Sequence, residues 1–231
     1  IATYIKNDLK LKKDIKIIET PFIPYQGKEN EELYEKLISK INNQPYLLFF
    51  GTIGLLKGAQ EIADAVYEIL ERYKDLYIVL VGKENALNGD SPISLIKQKA
   101  QQHYKRVIHF DKTTHDKLFP LIRGAKAVLL PSRVDNLPNT CIEAMGLHKL
   151  VIGSKGASFE QLIEDGISGL LCEAGNSQSI VNAVNRLMSL SNEKIKLIEE
   201  AAYERSKTLS PEHIIPQVIS YYKDVIKEWR K

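Results

Sequence analysis

Six short apolar runs govern what this chain can become: YLLFF (46–50), LYIVLV (76–81), VIHF (107–110), AVLL (127–130), LVIG (150–153) and GLLC (169–172). Each is nearly continuous in large apolar side chains instead of alternating apolar with polar, so a strand made from it must be covered on both faces. Between the runs, Ile62, Ala65, Val66, Ile69, Leu70 and Tyr73 recur at helical spacing, as do Ile180, Val184, Leu187 and Met188. Strand alternating with helix predicts an α/β fold, an open, doubly wound parallel sheet. In such sheets ligands bind at the carboxyl ends of the strands, where loops lead into helix amino termini. A candidate site residue is therefore judged by whether it sits there.

The bulk numbers exclude some classes. With 231 residues, 44% hydrophobic and 26% charged, the chain reads as an ordinary globular protein with ample core. A net charge of +3 is too small to argue for a nucleic-acid partner. No apolar stretch approaches the roughly 18 residues that span a membrane, and none reads as a signal peptide. Cys141 and Cys172 lack metal-ligand spacing and read as reduced thiols of a cytoplasmic protein. His103, His109, His115, His148 and His213 likewise show no ligand spacing, so no metal is expected, and each is read as a surface or core residue. The opening IATYIKNDLKLKKDIK has no Met and no strand; residues 1–24 are expected to be the tail of a preceding domain plus a linker, and residues 25–231 the α/β domain. Lys6, Lys10, Lys12, Lys13 and Lys16 favour a solvated helix face over attraction to an anionic membrane. Pro211 to Lys231 reads as a long helix carrying Tyr221, Tyr222 and Trp229.

Three strand-to-helix turns stand at the expected position. FFGTIGLLKGAQEI (49–62) brings Gly51, Gly54, Gly58 and Lys57 to the end of the first strand. It is either a phosphate cradle or a turn with a solvated lysine, and it matches neither common glycine-rich nucleotide fingerprint. PSRVDNLPNTCIEAM (131–145) separates Asp135 from Glu143 by seven residues, around a loop ending near Asn139 and Thr140, both good helix caps. The two acids either decorate a helix start, which carboxylates favour anyway, or accept a ribose diol while the helix amides take a diphosphate. GSKGASFEQLIEDGISGLL (153–171) is the third turn, with Glu160 near another helix start.

Taken in order, GTIGLLKG (51–58), LPSRVDNLPNTCIEAM (130–145) and VIGSKGASFEQLIEDGISGLL (151–171) resemble the Rossmann-like, donor-binding half of GT-B glycosyltransferases, nearest to the retaining family 4 type. The resemblance covers about residues 17–231, and the acid-x7-acid motif followed by Ala-Met is its most specific part. It implies that Glu143 binds the ribose of a nucleotide-sugar (UDP-, GDP- or ADP-linked) and that Asp135, where the family more often has Glu, touches the transferred sugar. It implies further that amides around Leu137, Asn139 and Thr140 hold the diphosphate beside Gly51 and Lys57, and that the base lies near Asp111 to Thr113, where Lys112 replaces a common glycine. Thr52 stands where the family usually has Arg: either another cation such as Arg133 compensates, or donor affinity is lowered, or activity is reduced.

The activity implied is sugar transfer to a saccharide or lipid-linked acceptor, as in bacterial polysaccharide biosynthesis. It needs neither metal nor cofactor, and takes place in the cytoplasm or at the inner membrane face. The acceptor would meet the donor through a second domain, so this chain alone is expected to bind nucleotide weakly and transfer little sugar. The family fold also serves nucleotide-sugar epimerases, and the Thr52 departure fits a degenerate nucleotide-binding module; both stand as alternatives.

Overall fold

A computed structural model describes residues 9, 15–24, 26–86 and 89–229. After helix α1 (Glu32–Ile41), the chain runs β1 (Tyr46–Phe50), α2 (Ala59–Arg72), β2 (Tyr77–Val81), α3 (Pro92–Lys99), β3 (Val107–Phe110), α4 (His115–Gly124), β4 (Ala127–Leu130), α5 (Asn139–Gly146), β5 (Val151–Lys155), β6 (Leu170–Glu173), α6 (Ser177–Ser189), α7 (Asn192–Lys207) and α8 (Pro211–Trp229). The six strands form one sheet in the order β3-β2-β1-β4-β5-β6, every neighbouring pair parallel. All six apolar runs become strands within two residues of their expected bounds, because both faces are covered: β1 and β4 are buried at every position. The fold is the doubly wound α/β sheet that the sequence pattern predicts.

Burial of the helix stripes covers the sheet. Ile62, Ala65, Val66, Ile69 and Leu70 of α2 are buried, and α2 packs against α3 and α6, whose own buried stripe is Ile180, Val181, Val184 and Leu187. Each fully buried aliphatic side chain contributes about 1.5–3 kcal/mol relative to exposure. Tyr46 opens β1 in the interior, and its hydroxyl donates to the Leu121 carbonyl at 2.6 Å; burial pushes that hydroxyl's pKa up. Pro120 lies inside α4 and cannot donate to the Asp116 carbonyl, which accepts instead from the Asn30 amide at 2.9 Å.

The chain divides into two compact units, Pro24–Ser206, which holds the sheet, and Ile1–Ile23 with Lys207–Lys231. In the second unit the Phe22 amide donates to the Leu209 carbonyl at 2.8 Å, and the Lys16 ammonium stands 5.7 Å from the centroid of the Tyr221 ring. Ile215, Ile219, Tyr222, Ile226 and Trp229 of α8 are exposed. Lys16 lies outside any helix, and Lys6, Lys10, Lys12 and Lys13 of the lysine run fall outside the described residues. Among the described residues, no helix is long and apolar enough to cross a membrane.

The strand order reverses between β1 and β4, and two glycines permit the crowding there. A Cβ on Gly82 (φ +148°) would lie 1.8 Å from the Gly51 carbonyl oxygen, and one on Gly58 (φ +84°) would lie 2.0 Å from that of Pro131. Neither clash can be relieved by a rotamer change, since both neighbours are backbone. Gly82→Ala is expected to lower unfolding free energy by about 2–4 kcal/mol. Gly175→Ala, at φ +72° with nothing within 4 Å of the new methyl, should cost only about 1 kcal/mol. Denaturant midpoints at equal slope check the difference.

Candidate functional site

The site forms where that reversal opens a crevice. The loop after β1 is stitched to β2's exit by Gly51 N–H to Val81 O (3.0 Å) and Ile53 N–H to Lys83 O (2.9 Å). It then makes a 3-10 turn, Leu55–Lys57, closed by Gly58 in the left-handed conformation. The loop after β4 lies against it, with the Arg133 amide donating to the Leu56 carbonyl at 2.9 Å. These contacts place Lys57 opposite Asp135, and their charged atoms meet at 2.6 Å. Asp135 is held twice more: its Oδ1 accepts from the Asn136 amide at 3.0 Å, and its carbonyl accepts from the Ser158 hydroxyl at 2.9 Å. Ser158 adopts a left-handed backbone (φ 67°) to reach it.

Helix α5 enters the crevice by its amino terminus. Asn139 and Thr140 are not its caps: Pro138 holds the cap position and supplies no side-chain hydrogen bond. A proline there already lacks an amide to satisfy, so Asn139 and Thr140 move into the first helical turn. The positive end of the helix dipole therefore faces the crevice without a capping side chain.

Two adjoining hollows occupy the crevice, of about 360 Å³ and about 310 Å³. Phe50, Gly51, Thr52 and Thr140 line both, so they form one bilobed cleft. The larger lobe holds Glu143, His115, Lys112, Thr113 and Lys83. The smaller holds Lys57, Asp135, Leu137, Asn139 and Ser132. Of the residues singled out in the sequence, Gly51, Thr52, Lys57, Lys112, Asp135, Leu137, Asn139, Thr140 and Glu143 are thus brought together, with one acid in each lobe. Glu160 lies apart and accepts from the Gly156 amide at 3.0 Å.

Arg133 lines neither lobe. Its Nε donates to Glu61 Oε1 at 2.6 Å, and Glu61, on α2, is buried. Glu61 Oε2 is buried as well and has no hydrogen-bond partner among the described residues. The arginine expected to supplement Lys57 is committed to this carboxylate, an arrangement no local sequence signal announces.

Glu143 is largely buried, and that burial raises its carboxyl pKa; the charge and hydrogen bond of His115, whose Nε2 stands 3.5 Å from Glu143 Oε1, pull the other way. Sequence reasoning assigned His115 to surface or core, with the other four histidines. Of those, His103 meets Glu71, His109 donates to the Gly82 carbonyl, His148 stacks on Tyr203 and His213 meets Ser210. His115 alone among the five lines the cleft. Thr113, at the end of the segment expected near the base, lines the larger lobe as well; Lys83 carries no sequence expectation, though it and His115 sit just beyond strand ends, where the rule that flagged Lys57 would find them. The Cys141 thiol is pushed up by burial, and that of Cys172 up to about 11; neither lines the cleft. Among the described residues, no group of three or more His, Cys, Asp or Glu is placed to hold a metal.

Comparison with known proteins gives one consistent answer. The family described as Glycosyl transferases group 1 matches residues 30–205. The Streptomyces kanamyceticus protein named alpha-D-kanosaminyltransferase is 25% identical over 165 residues, 70% of this chain and 41% of that one. A Rickettsia africae glycosyltransferase structure superposes at TM-score 0.76 with 19% identity, over 97% of this chain and 61% of the other. The Anabaena HepE structure in complex with UDP-glucose does so at TM-score 0.71 with 19% identity, over 89% and 57%. The chain spans about half the length of the curated relatives it matches.

The Glu61–Arg133 pair gives a direct test of the packing beneath the cleft. Arg133→Met leaves a buried carboxylate without its cation and is expected to destabilise the chain by about 2 kcal/mol, less than a wholly buried pair because Arg133 is partly exposed. Adding Glu61→Leu should recover most of that loss, as a double-mutant cycle in denaturant would show.

Proposed function

The chain belongs to the glycosyl transferases group 1, and from that premise we propose that its bilobed cleft binds a nucleotide-diphospho-sugar as the donor for sugar transfer. The observation that carries the reading is the cleft's division: a carboxylate in each lobe, with the amino terminus of α5 between them. In the larger lobe Glu143 accepts hydrogen bonds from the ribose hydroxyls, and the base lies towards Lys112 and Thr113. The positive, amino-terminal end of α5, with Gly51, Thr52 and Thr140 around it, receives the diphosphate. Asp135, at the far side of the smaller lobe, meets the hydroxyls of the transferred sugar.

In transfer, the bond from the sugar's anomeric carbon to the diphosphate oxygen breaks and its electron pair leaves with the nucleoside diphosphate. An acceptor hydroxyl oxygen bonds to that carbon and gives up its proton to the departing diphosphate. The charge that develops there is met by fixed amides and by Lys57, which need no reorganisation of solvent. Lys57 is paired with Asp135 at 2.6 Å; an arriving diphosphate, with greater charge, draws the ammonium across and frees Asp135 for the sugar. We assign the reaction retention of configuration, a saccharide or lipid-linked acceptor, and a cytoplasmic setting at or near the inner membrane face. The Anabaena complex with UDP-glucose supports a UDP-sugar as donor, with GDP- and ADP-sugars as the other candidates.

A second reading has an observation of its own. Thr52 carries no charge and Arg133 is held by Glu61, so Lys57 is the cation among the residues lining the smaller lobe. A nucleotide-binding module with weakened or lost transfer would look the same.

Titration of the chain with UDP, GDP and ADP, followed by amide NMR, tests the binding. Shifts are expected at residues 51–58 and 137–143 for at least one of the three. Glu143→Ala should weaken that nucleotide by about 1–3 kcal/mol through lost charge-assisted hydrogen bonds. Equal affinity in both proteins would remove the ribose assignment.

A further inference from the structure

We propose that His115 is a positioning residue for Glu143: it orients the carboxylate for a vicinal diol and so sets the preference of this site for ribose over 2′-deoxyribose. The inference rests on the nucleotide-sugar reading and deepens it.

The geometry is specific. His115 is the first residue of α4, following the loop at the end of β3, and it reaches across the larger lobe to α5. Its Nε2 stands 3.5 Å from Glu143 Oε1. The ring is braced from behind by Phe119, one helical turn on, in an edge-to-face contact with centroids 5.7 Å apart. Phe119 is itself buried, so the brace is part of the core. A carboxylate accepting both hydroxyls of a diol must turn the plane of its two oxygens towards them, and an imidazole nitrogen 3.5 Å from Oε1 biases that orientation.

The second consequence concerns charge. Burial alone drives Glu143 towards its neutral form, which would offer one acceptor oxygen less to a diol; His115 opposes that drift. Two other charged groups line the same lobe from neighbouring elements, Lys83 beyond β2 and Lys112 beyond β3, while Asp111 and Asp116, next to Lys112 and His115 in the chain, do not line it. His115 is the one in ion-pair distance of Glu143 among the described residues. A dedicated partner on an adjacent helix is unnecessary for helix capping, since α5 is entered through Pro138 and Glu143 lies beyond its first turn.

The test compares the nucleoside diphosphate that binds most tightly with its 2′-deoxy counterpart, by calorimetry from mildly acidic to mildly alkaline pH, in the unaltered chain, His115→Ala and His115→Gln. The unaltered chain should prefer the ribonucleotide by about tenfold, the worth of one charge-assisted hydrogen bond. His115→Ala should lose most of that preference while holding the 2′-deoxy form almost as well. The sign of the pH effect is fixed: removing His115 removes the charge and hydrogen bond that oppose burial at Glu143, so the loss of preference on acidification begins at higher pH. His115→Gln, which can still donate to Oε1 but carries no charge, should recover part of the preference and none of the pH displacement. An unchanged preference and pH profile in His115→Ala would overturn the proposal, as would an equal loss for both nucleotides. Carbon-13 NMR titration of the Glu143 carboxyl in the nucleotide-free protein separates the two readings. If no nucleotide binds but His115→Ala moves that titration to higher pH, the coupling stands and only the ligand assignment fails. If the titration does not move, the coupling itself is refuted.

Discussion

The closeness of backbone to backbone where β1 and β4 part is the constraint on which the rest depends. There the helices leave the sheet on opposite faces, and the crevice so produced is a place for a ligand in any doubly wound fold. In this chain its floor is set by carbonyl groups packed against glycine α-carbons, Gly51 against Gly82 and Pro131 against Gly58. Because no side chain intervenes, the loops after β1, β2 and β4 lie close enough for Ile53 to bond to Lys83 and Arg133 to Leu56. The side chains above inherit their places from those bonds. Lys57 faces Asp135, and Thr52 lies with Thr140 in the wall common to both lobes.

Charge around the cleft is arranged in three contacts, each joining different elements. Lys57 meets Asp135 across the two main loops, Arg133 meets Glu61 beneath them, and His115 meets Glu143 from α4 to α5. They differ in how readily a ligand could replace a partner. Lys57 is part exposed, so that an incoming diphosphate would compete directly for it. Arg133 cannot leave without orphaning a buried carboxylate, which makes it a structural cation. His115 and Glu143 need not part at all, because a diol adds to a carboxylate already held on one side. On the proposed reading, a cleft so balanced would bind an anion by exchange of partners.

Much of the fold was legible in the sequence because parallel strands covered on both faces leave uninterrupted apolar runs, and all six of those runs became strands. Nine of the residues singled out by motif and spacing come together in one cleft for a related reason: strand ends fix where loops gather. What could not be read lies in partners far apart in sequence. Nothing near Arg133 signals Glu61, and the two meet only because α2 lies under the β4 loop. Asn139 and Thr140 looked like helix caps by composition, but Pro138 starts the helix one residue earlier and turns them inward. His115 was set aside for want of metal-ligand spacing, when its meaning comes from the β3 exit facing α5. Spacing rules find residues on one element; they are blind to a pair that forms across two.

A crystal structure of the chain with its preferred nucleoside diphosphate would test the central claim most directly. The account requires the diphosphate over the first turn of α5, the ribose hydroxyls on Glu143, and the Lys57 ammonium moved from Asp135 onto a phosphate oxygen. A nucleotide lodged elsewhere, or one bound in the cleft with Glu143 untouched and the Lys57–Asp135 contact intact, would contradict it.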